Sequence, residues 1–123
     1  MKLSQELQKY FEKEVNVEQI DNDIIRATMA YPDGGILLII IDDSDNSVDV
    51  NIIKRISPSY QELDMLKYVN DINANSVDGV FAVYKGDNIS VSKLRDGVSS
   101  YEEAVRVVVE CEEVFKKFLA PLQ

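Results

Sequence analysis

Residues 36–41 read Ile-Leu-Leu-Ile-Ile-Ile, a run of six apolar side chains in a chain of 123 residues. A β-strand points successive side chains to opposite faces, so such a run is apolar on both faces. That pattern is typical of a central strand that is covered on both sides. The turn residues Pro32, Asp33, Gly34 and Gly35 precede the run, and a polar loop over 42–47 follows it. Residues 36–41 are therefore predicted to form the central strand of a sheet.

The segments on either side of this run alternate between apolar and polar residues. Asn22 to Tyr31 places Ile25, Ala27, Met29 and Tyr31 on one face, and Val48 to Ile56 alternates in the same way. These segments predict a three-stranded meander. Two further strands are predicted at Val80 to Lys85 and Ile89 to Leu94, because Gly86, Asp87 and Asn88 between them favour a hairpin turn.

Two helices are predicted around the meander. Leu3, Leu7, Tyr10 and Phe11 recur at helical spacing and predict a helix over about residues 4–15. A second helix is predicted to begin after Pro58, where Ser59 and Glu62 have the spacing of a capping box, and to end by Gly79. Its apolar half contains Leu63, Met65, Leu66, Val69 and Ile72. Asn73 falls within this half and Asn70 at its border, so Asn73 is predicted to be buried and bonded to the backbone of a neighbouring strand or loop.

A third helix is predicted to run from the overlapping capping boxes Ser99/Glu102 and Ser100/Glu103 to Leu122. Its stretch Val105 to Val109 is β-branched, but the caps and the continuing helical period favour a helix. The apolar arc includes Val105, Val109 and Cys111 and is wider than one neighbouring layer can cover. Part of this surface is therefore predicted to be available for self-association.

The predicted order is α-β-β-β-α-β-β-α. It indicates a single α+β domain over residues 1–123, with an antiparallel sheet of about five strands and helices packed on one face. The composition excludes several chemistries. The chain has no histidine and one cysteine, so it cannot build a histidine-based triad, an intrachain disulfide or a cysteine-rich metal site.

The formal net charge of −9 disfavours nucleic acid and anionic membranes as partners and favours basic protein segments. No run approaches the roughly 20 apolar residues of a membrane span, and no signal peptide is recognised. We expect a cytoplasmic protein, since the unpaired thiol suits a reducing compartment.

Candidate catalytic groups have simpler structural interpretations. The loop Asp42 to Asp45 gathers carboxylates, but the glycine and the final glutamate of a calcium loop are missing. Cys111 lies among apolar residues and is predicted to be an unreactive core thiol. Glu102 and Glu103 are interpreted as helix caps. We assign no catalytic, cofactor-binding or metal-binding residue. Asp21 and Asp23 could supply a carboxylate pair for acid-base chemistry. The alternative function is an enzyme or binding protein with a divalent metal held by at least two carboxylates from different elements.

One family resemblance covers this element order. The segments LDMLKYVNDINAN (63–75), GVFAVY (79–84) and ISVSKL (89–94), followed by a helix ending FKKFLAPL (115–122), resemble the YbjN-like group. That group shares its fold with the chaperones of type III secretion. The matching positions are Val69, Asn70, Ile72 and Asn73 in the helix and Gly79 and Phe81 at the strand entry.

The resemblance implies an acidic, non-enzymatic homodimer that binds a segment of another protein, with a chaperone-like or regulatory role. The segment would lie extended against a sheet edge or in a helix groove. From exposed apolar character we select six candidate binding residues: Met29, Tyr31, Phe81, Tyr84, Val105 and Val109. Four residues are assigned structural roles: Asn70, Asn73, Gly79 and Cys111.

Overall fold

The computed structural model describes residues 16–32, 34–76 and 79–122. The helix predicted over residues 4–15 lies outside the described residues. The described strands form one antiparallel sheet with the order β1-β2-β3-β4-β6-β5. Their bounds are β1 Asn16–Gln19, β2 Ile24–Ala30, β3 Gly35–Asp42, β4 Ser47–Arg55, β5 Phe81–Lys85 and β6 Asn88–Arg95. Two α-helices, α1 Glu62–Asn75 and α2 Tyr101–Val114, are described, and α2 continues into a π-helix at Phe115–Leu119. The α+β architecture is as predicted.

The sheet has six described strands where five were predicted. β1 was missed because its sequence, Asn-Val-Glu-Gln, contains one apolar residue and no alternation. It forms through pairing with β2, with Asn16 opposite Thr28 and Gln19 opposite Ile25. Pairing with β2 supplies β1 with backbone hydrogen bonds. Such bonds cannot be inferred from the strand propensities of the four residues themselves.

The two faces of the sheet differ in cover. Leu37, Ile39 and Ile41 of β3 are buried on the side where α1 and α2 pack, which we call the core face. Ile36, Leu38 and Ile40 point to the other side, which we call the open face, and Ile36 is 51% exposed. The prediction that β3 is covered on both sides is therefore not met by the described elements, because both described helices lie on one side.

The end of the last helix is held by close packing against the sheet. Phe115 is buried, and its ring lies so close to Gly35 that a Cβ atom there would collide with it. Tyr31 stacks on the same ring with 5.2 Å between centroids. At Phe115 the helix changes to π geometry and the Ala120 N–H donates to the Phe115 carbonyl. The sequence predicted one uniform helix here, since the hydrophobic period does not show a local change of turn.

The helix starts agree in part with the predicted capping boxes. Ser100 caps α2, with its Oγ accepting from the Glu103 N–H at 3.1 Å, and the Glu103 carboxylate accepts from the Ser99 N–H. These bonds from Ser99, with the nearby Arg95, lower the pKa of Glu103. The Ser59/Glu62 box is wrong: Gln61 is the N-cap of α1 without a side-chain bond, and Ser59 bonds Ser57 instead.

The predicted apolar half of α1 is also divided. Met65, Val69 and Ile72 are buried in the core cluster, whereas Leu63 and Leu66 are exposed on the outer side of the helix. The sequence assigned all five residues to one face because the arc was drawn too wide.

Candidate protein-binding surface

The open face carries an apolar row that crosses most of the sheet. The strand registers place Ala30 beside Ile36, Ile36 beside Ile53, Ile53 beside Ser90 and Ser90 beside Val83. We call Ala30, Ile36, Ile53 and Val83 the apolar row, and Ser90 is a polar position within it. Ile36 and Val83 are 51% and 44% exposed. A row of exposed apolar side chains on one face of a sheet is a feature that binding surfaces use.

The neighbouring row has a polar centre. It runs from Thr28 and Leu38 through Asn51 and Ser92 to Phe81. Ser92 Oγ donates to Asn51 Oδ1 at 2.7 Å, and Asn51 Nδ2 donates to Asp49 Oδ1 at 3.1 Å. These bonds satisfy the polar side chains inside the sheet face, so they hold the face in shape without recruiting a ligand. Phe81 ends this row and is 49% exposed.

A groove of about 400 Å³ lies at the β1 side of the open face. Apolar side chains and the ion pair between Arg26 and Glu18 contribute to its lining. The groove is lined by Asn16, Val17, Glu18, Arg26, Thr28, Ile36, Leu38 and Ile53. Because Ile36 and Ile53 belong to the apolar row as well, the groove and the row form one continuous surface.

The two edges of the sheet differ. At the β5 edge Asn73 of α1 bonds the backbone of Ala82: its Nδ2 donates to the carbonyl at 3.0 Å and its Oδ1 accepts from the N–H at 2.5 Å. The side-chain amide thus occupies the positions that another strand would use, which is one way proteins protect a sheet edge. Along the β1 edge all four residues are exposed in the described chain.

Asn73 therefore contacts a strand backbone as expected from the sequence, but the prediction that it is buried is wrong. Its side chain lies at the surface beside the sheet edge, because α1 packs over the end of the sheet and not over its centre. Asn70 is also exposed, and its side chain forms no hydrogen bond with any described residue.

The six candidate binding residues chosen from the sequence do not form one surface. Met29, Tyr31, Tyr84 and Val105 are partly buried against the core cluster, and Val109 is half-buried on α2. Tyr31 Oη donates to Glu112 Oε2 at 2.8 Å, which ties β2 to α2. Phe81 is the member of the six that lies on the open face. The residues of the open face could have been found from the alternation of side chains in strands 36–41 and 80–85. In each strand they are the positions that alternate with the core residues.

Comparison with known proteins identifies the fold. No family model matches the chain, and no curated protein matches it. Among solved structures, the chain is similar to the crystal structure of YbjN from E. coli, a candidate transcription regulator. The two are 19% identical, the match covers 96% of this chain and 86% of that chain, and the TM-score is 0.64.

The chain has a YbjN-like fold. This agrees with the resemblance seen in the second helix and the following hairpin of the sequence. An identity of 19% establishes the fold alone, so the open face described above belongs to this chain and is not transferred from YbjN.

Within this YbjN-like fold, the reactive side chains on the core face are used for packing. Cys111 is fully buried, and burial raises the pKa of its thiol to about 12, although the Lys93 ammonium acts in the opposite direction. Lys93 Nζ lies 2.6 Å from Glu110 Oε2 and is nearly buried. Gly79, at a φ of +78°, lies against the aliphatic part of Lys93. Lys54 Nζ donates to the Ala120 carbonyl at 2.9 Å and ties β4 to the end of the last helix.

The two buried lysines were missed by the sequence analysis. Both occupy core-face positions of their strands, where an alternating pattern predicts apolar residues. No signal in one sequence distinguishes a lysine that bonds a buried partner from one that reaches solvent.

The acidic loop after β3 has the bonds of a turn. Asp42 Oδ1 accepts from the Ser44 N–H at 2.9 Å and from its hydroxyl, and these bonds lower the pKa of Asp42. Within residues 16–32, 34–76 and 79–122, no three acidic or cysteine side chains come together as metal ligands. Neither helix described for this chain has the length and apolar character that crossing a membrane requires.

Proposed function

We propose that this protein is a non-enzymatic binding module that holds a segment of another protein on the open face of its sheet. The observation that carries the proposal is the continuous surface formed by the apolar row and the groove beside β1. Its exposed side chains come from five strands, so the fold holds them in fixed positions. A preformed apolar surface lowers the entropic cost of binding.

The shape of the surface favours an extended segment. A bound strand rises about 3.3 Å per residue, as β3 does, so roughly eight extended residues span the length of β3. A segment that lies along β3 and β4 crosses the apolar row at Ile36 and Ile53 and can place a further side chain in the groove beside Leu38. The β1 edge offers a neighbouring position for its backbone, whereas Asn73 already occupies the backbone groups of Ala82 at the β5 edge.

Self-association is the second part of the proposal. Leu63 and Leu66 are 61% and 46% exposed on α1, the helix that packs against β5. A second copy that covers these leucines leaves the open face accessible to the bound segment. We therefore propose that the working form is a homodimer, with a chaperone-like or regulatory role in the cytoplasm.

The description of YbjN as a transcription regulator is compatible with this proposal if regulation acts through a protein partner. Direct contact with DNA requires clustered Lys and Arg side chains. A net charge of −9 argues against such contact for this chain.

The proposal can be tested by selecting random peptides displayed on phage against the purified protein. We expect enrichment of apolar peptides whose synthetic forms bind in solution. The double substitution Ile36→Ser and Ile53→Ser should weaken their binding about tenfold or more, since it removes roughly 1.4 kcal/mol or more of apolar contact. The control is Leu63→Ser with Leu66→Ser, which should leave peptide binding unchanged.

Absence of enriched peptides, or equal loss in both double variants, would contradict binding at the open face. The dimer is tested separately by light scattering. We expect twice the mass of one chain for the native protein and a shift toward one chain for the Leu63/Leu66 variant. A native protein that is monomeric at all concentrations would overturn the homodimer and leave the peptide result standing.

A further inference from the structure

The open face carries opposite charge at its two ends. Strand register places Asp42 and Asp49 on this face near the β3–β4 turn, and four more carboxylates lie in the adjoining turns, at Asp21, Asp23, Asp43 and Asp45; we call these six residues the acidic end. The turns that carry them are joined, because the Asp43 N–H donates to the Asp23 carbonyl at 2.8 Å. The two arginines nearby, Arg26 and Arg95, are paired with Glu18 and Glu103, so they leave the acidic end negative.

The other end of the same face carries two cations. Arg55 and Lys85 are exposed on either side of Asn88, and each is adjacent to the apolar row. Neither forms an ion pair with any residue in the described part of the chain. Asp87 in the neighbouring turn offsets part of their charge.

The two ends act on a bound segment separately. From Asp42 to Ile36 the strand rises six residues, or about 20 Å. The Debye length at physiological ionic strength is about 8 Å, so charge at one end is largely screened at the other. A segment on this face therefore meets local fields of opposite sign, and not the average field of a −9 protein.

We propose that the open face selects a segment with Lys or Arg at one end, and that it binds along the strands with this end at the acidic end. The apolar residues of the segment then lie across the apolar row. This inference rests on the proposed function and names the chemistry of the partner. The apolar surface supplies the contact area, and the charge complementarity supplies the direction.

The test uses the peptides enriched by display on the native protein. We expect Lys or Arg concentrated at one end of these peptides. A synthetic enriched peptide should bind about tenfold more tightly than its Lys/Arg→Gln form at low salt, and the difference should shrink as salt rises.

Matched variants locate the charge effect. Asp21→Asn with Asp45→Asn should remove most of the preference for the cationic peptide. Asp64→Asn with Asp71→Asn changes the net charge equally but lies on α1, and it should leave the preference intact. A nitroxide at the uncharged end of the peptide should broaden the amide signals of Ser90 and Val83 and not that of Ser47.

The outcomes separate the two proposals. Enriched peptides that are apolar without a cationic end, equal effects of the two aspartate pairs, or broadening at Ser47 would overturn the oriented binding and leave the proposed function standing. Failure to enrich any peptide would overturn both.

Discussion

The same strand shows two different environments on its two sides. On the core face of β3, Leu37, Ile39 and Ile41 are at most 1% exposed, on the side of the sheet where the last helix packs. On the open face, Ile36 is half exposed although its side chain is of the same type. The core face therefore stabilises the fold, and the open face is available for binding. Apolar character alone does not distinguish these roles, because both sides of the run are equally apolar.

A pair of substitutions tests this difference directly. Ile39→Ala leaves a cavity in the core and should lower the free energy of unfolding by about 2 to 5 kcal/mol. Ile36→Ala, three residues away on the same strand, should lower it by less than about 1 kcal/mol. Urea unfolding followed by circular dichroism measures both. Equal losses would show that the open face is part of the core.

Breaking an ion pair should likewise cost more stability on the core face than on the open face. Glu110→Gln removes the carboxylate that lies 2.6 Å from the nearly buried Lys93 ammonium and should cost about 2 to 3 kcal/mol. Glu18→Gln breaks the exposed pair with Arg26 and should cost less than about 1 kcal/mol. Thermal and urea unfolding of the two variants provide the comparison. A larger cost for Glu18→Gln would reverse the assignment of the faces.

The buried thiol of Cys111 should make the stability of the fold depend on pH. Its thiol pKa is about 12 in the folded protein against 9.0 for the ordinary group, because burial disfavours the thiolate. As pH rises above about 9, the unfolded chain loses this proton while the folded chain keeps it. Stability should therefore fall, by up to about 1.4 kcal/mol per pH unit from this group, and most of that slope should be absent in Cys111→Ala. Identical slopes in both proteins would show that the thiol is accessible to water.

The smallest expected loss of stability is at the β5 edge of the sheet, where Asn73 bonds Ala82. Asn73→Ala removes both bonds to Ala82 and should lower stability by about 1 kcal/mol, since water can replace them at this exposed position. Asn70→Ala, on the same helix, should change stability by less than about 0.5 kcal/mol. Amide exchange of Ala82 should become faster in Asn73→Ala alone. Unchanged exchange there would show that the edge is protected by another group.

Local patterns predicted most of the fold. The strands β2, β3, β4, β5 and β6 follow from alternation and turn residues, and the start of α2 follows from Ser100 and Glu103. β1 could not be predicted, since its four residues become a strand through pairing with β2. The π-helix depends on the fit of Phe115 over Gly35, which is a contact distant in sequence.

The binding surface was less predictable than the fold. Predicting it required knowing which face of each strand the helices cover. Tyr31 and Met29 were selected as binding residues because they are large and apolar, but they pack at the margin of the core. Ile36 and Val83 were not selected, because the apolar run was expected to be covered on both sides.

The most direct test of the central claim is a methyl-resolved NMR titration of the isoleucine, leucine and valine side chains with a peptide enriched by display. The account predicts shifts confined to Ile36, Leu38, Ile40 and Ile53, while Leu63, Leu66 and the buried Ile39 stay unchanged. Shifts at Leu63 and Leu66 with none at the four open-face residues would contradict it.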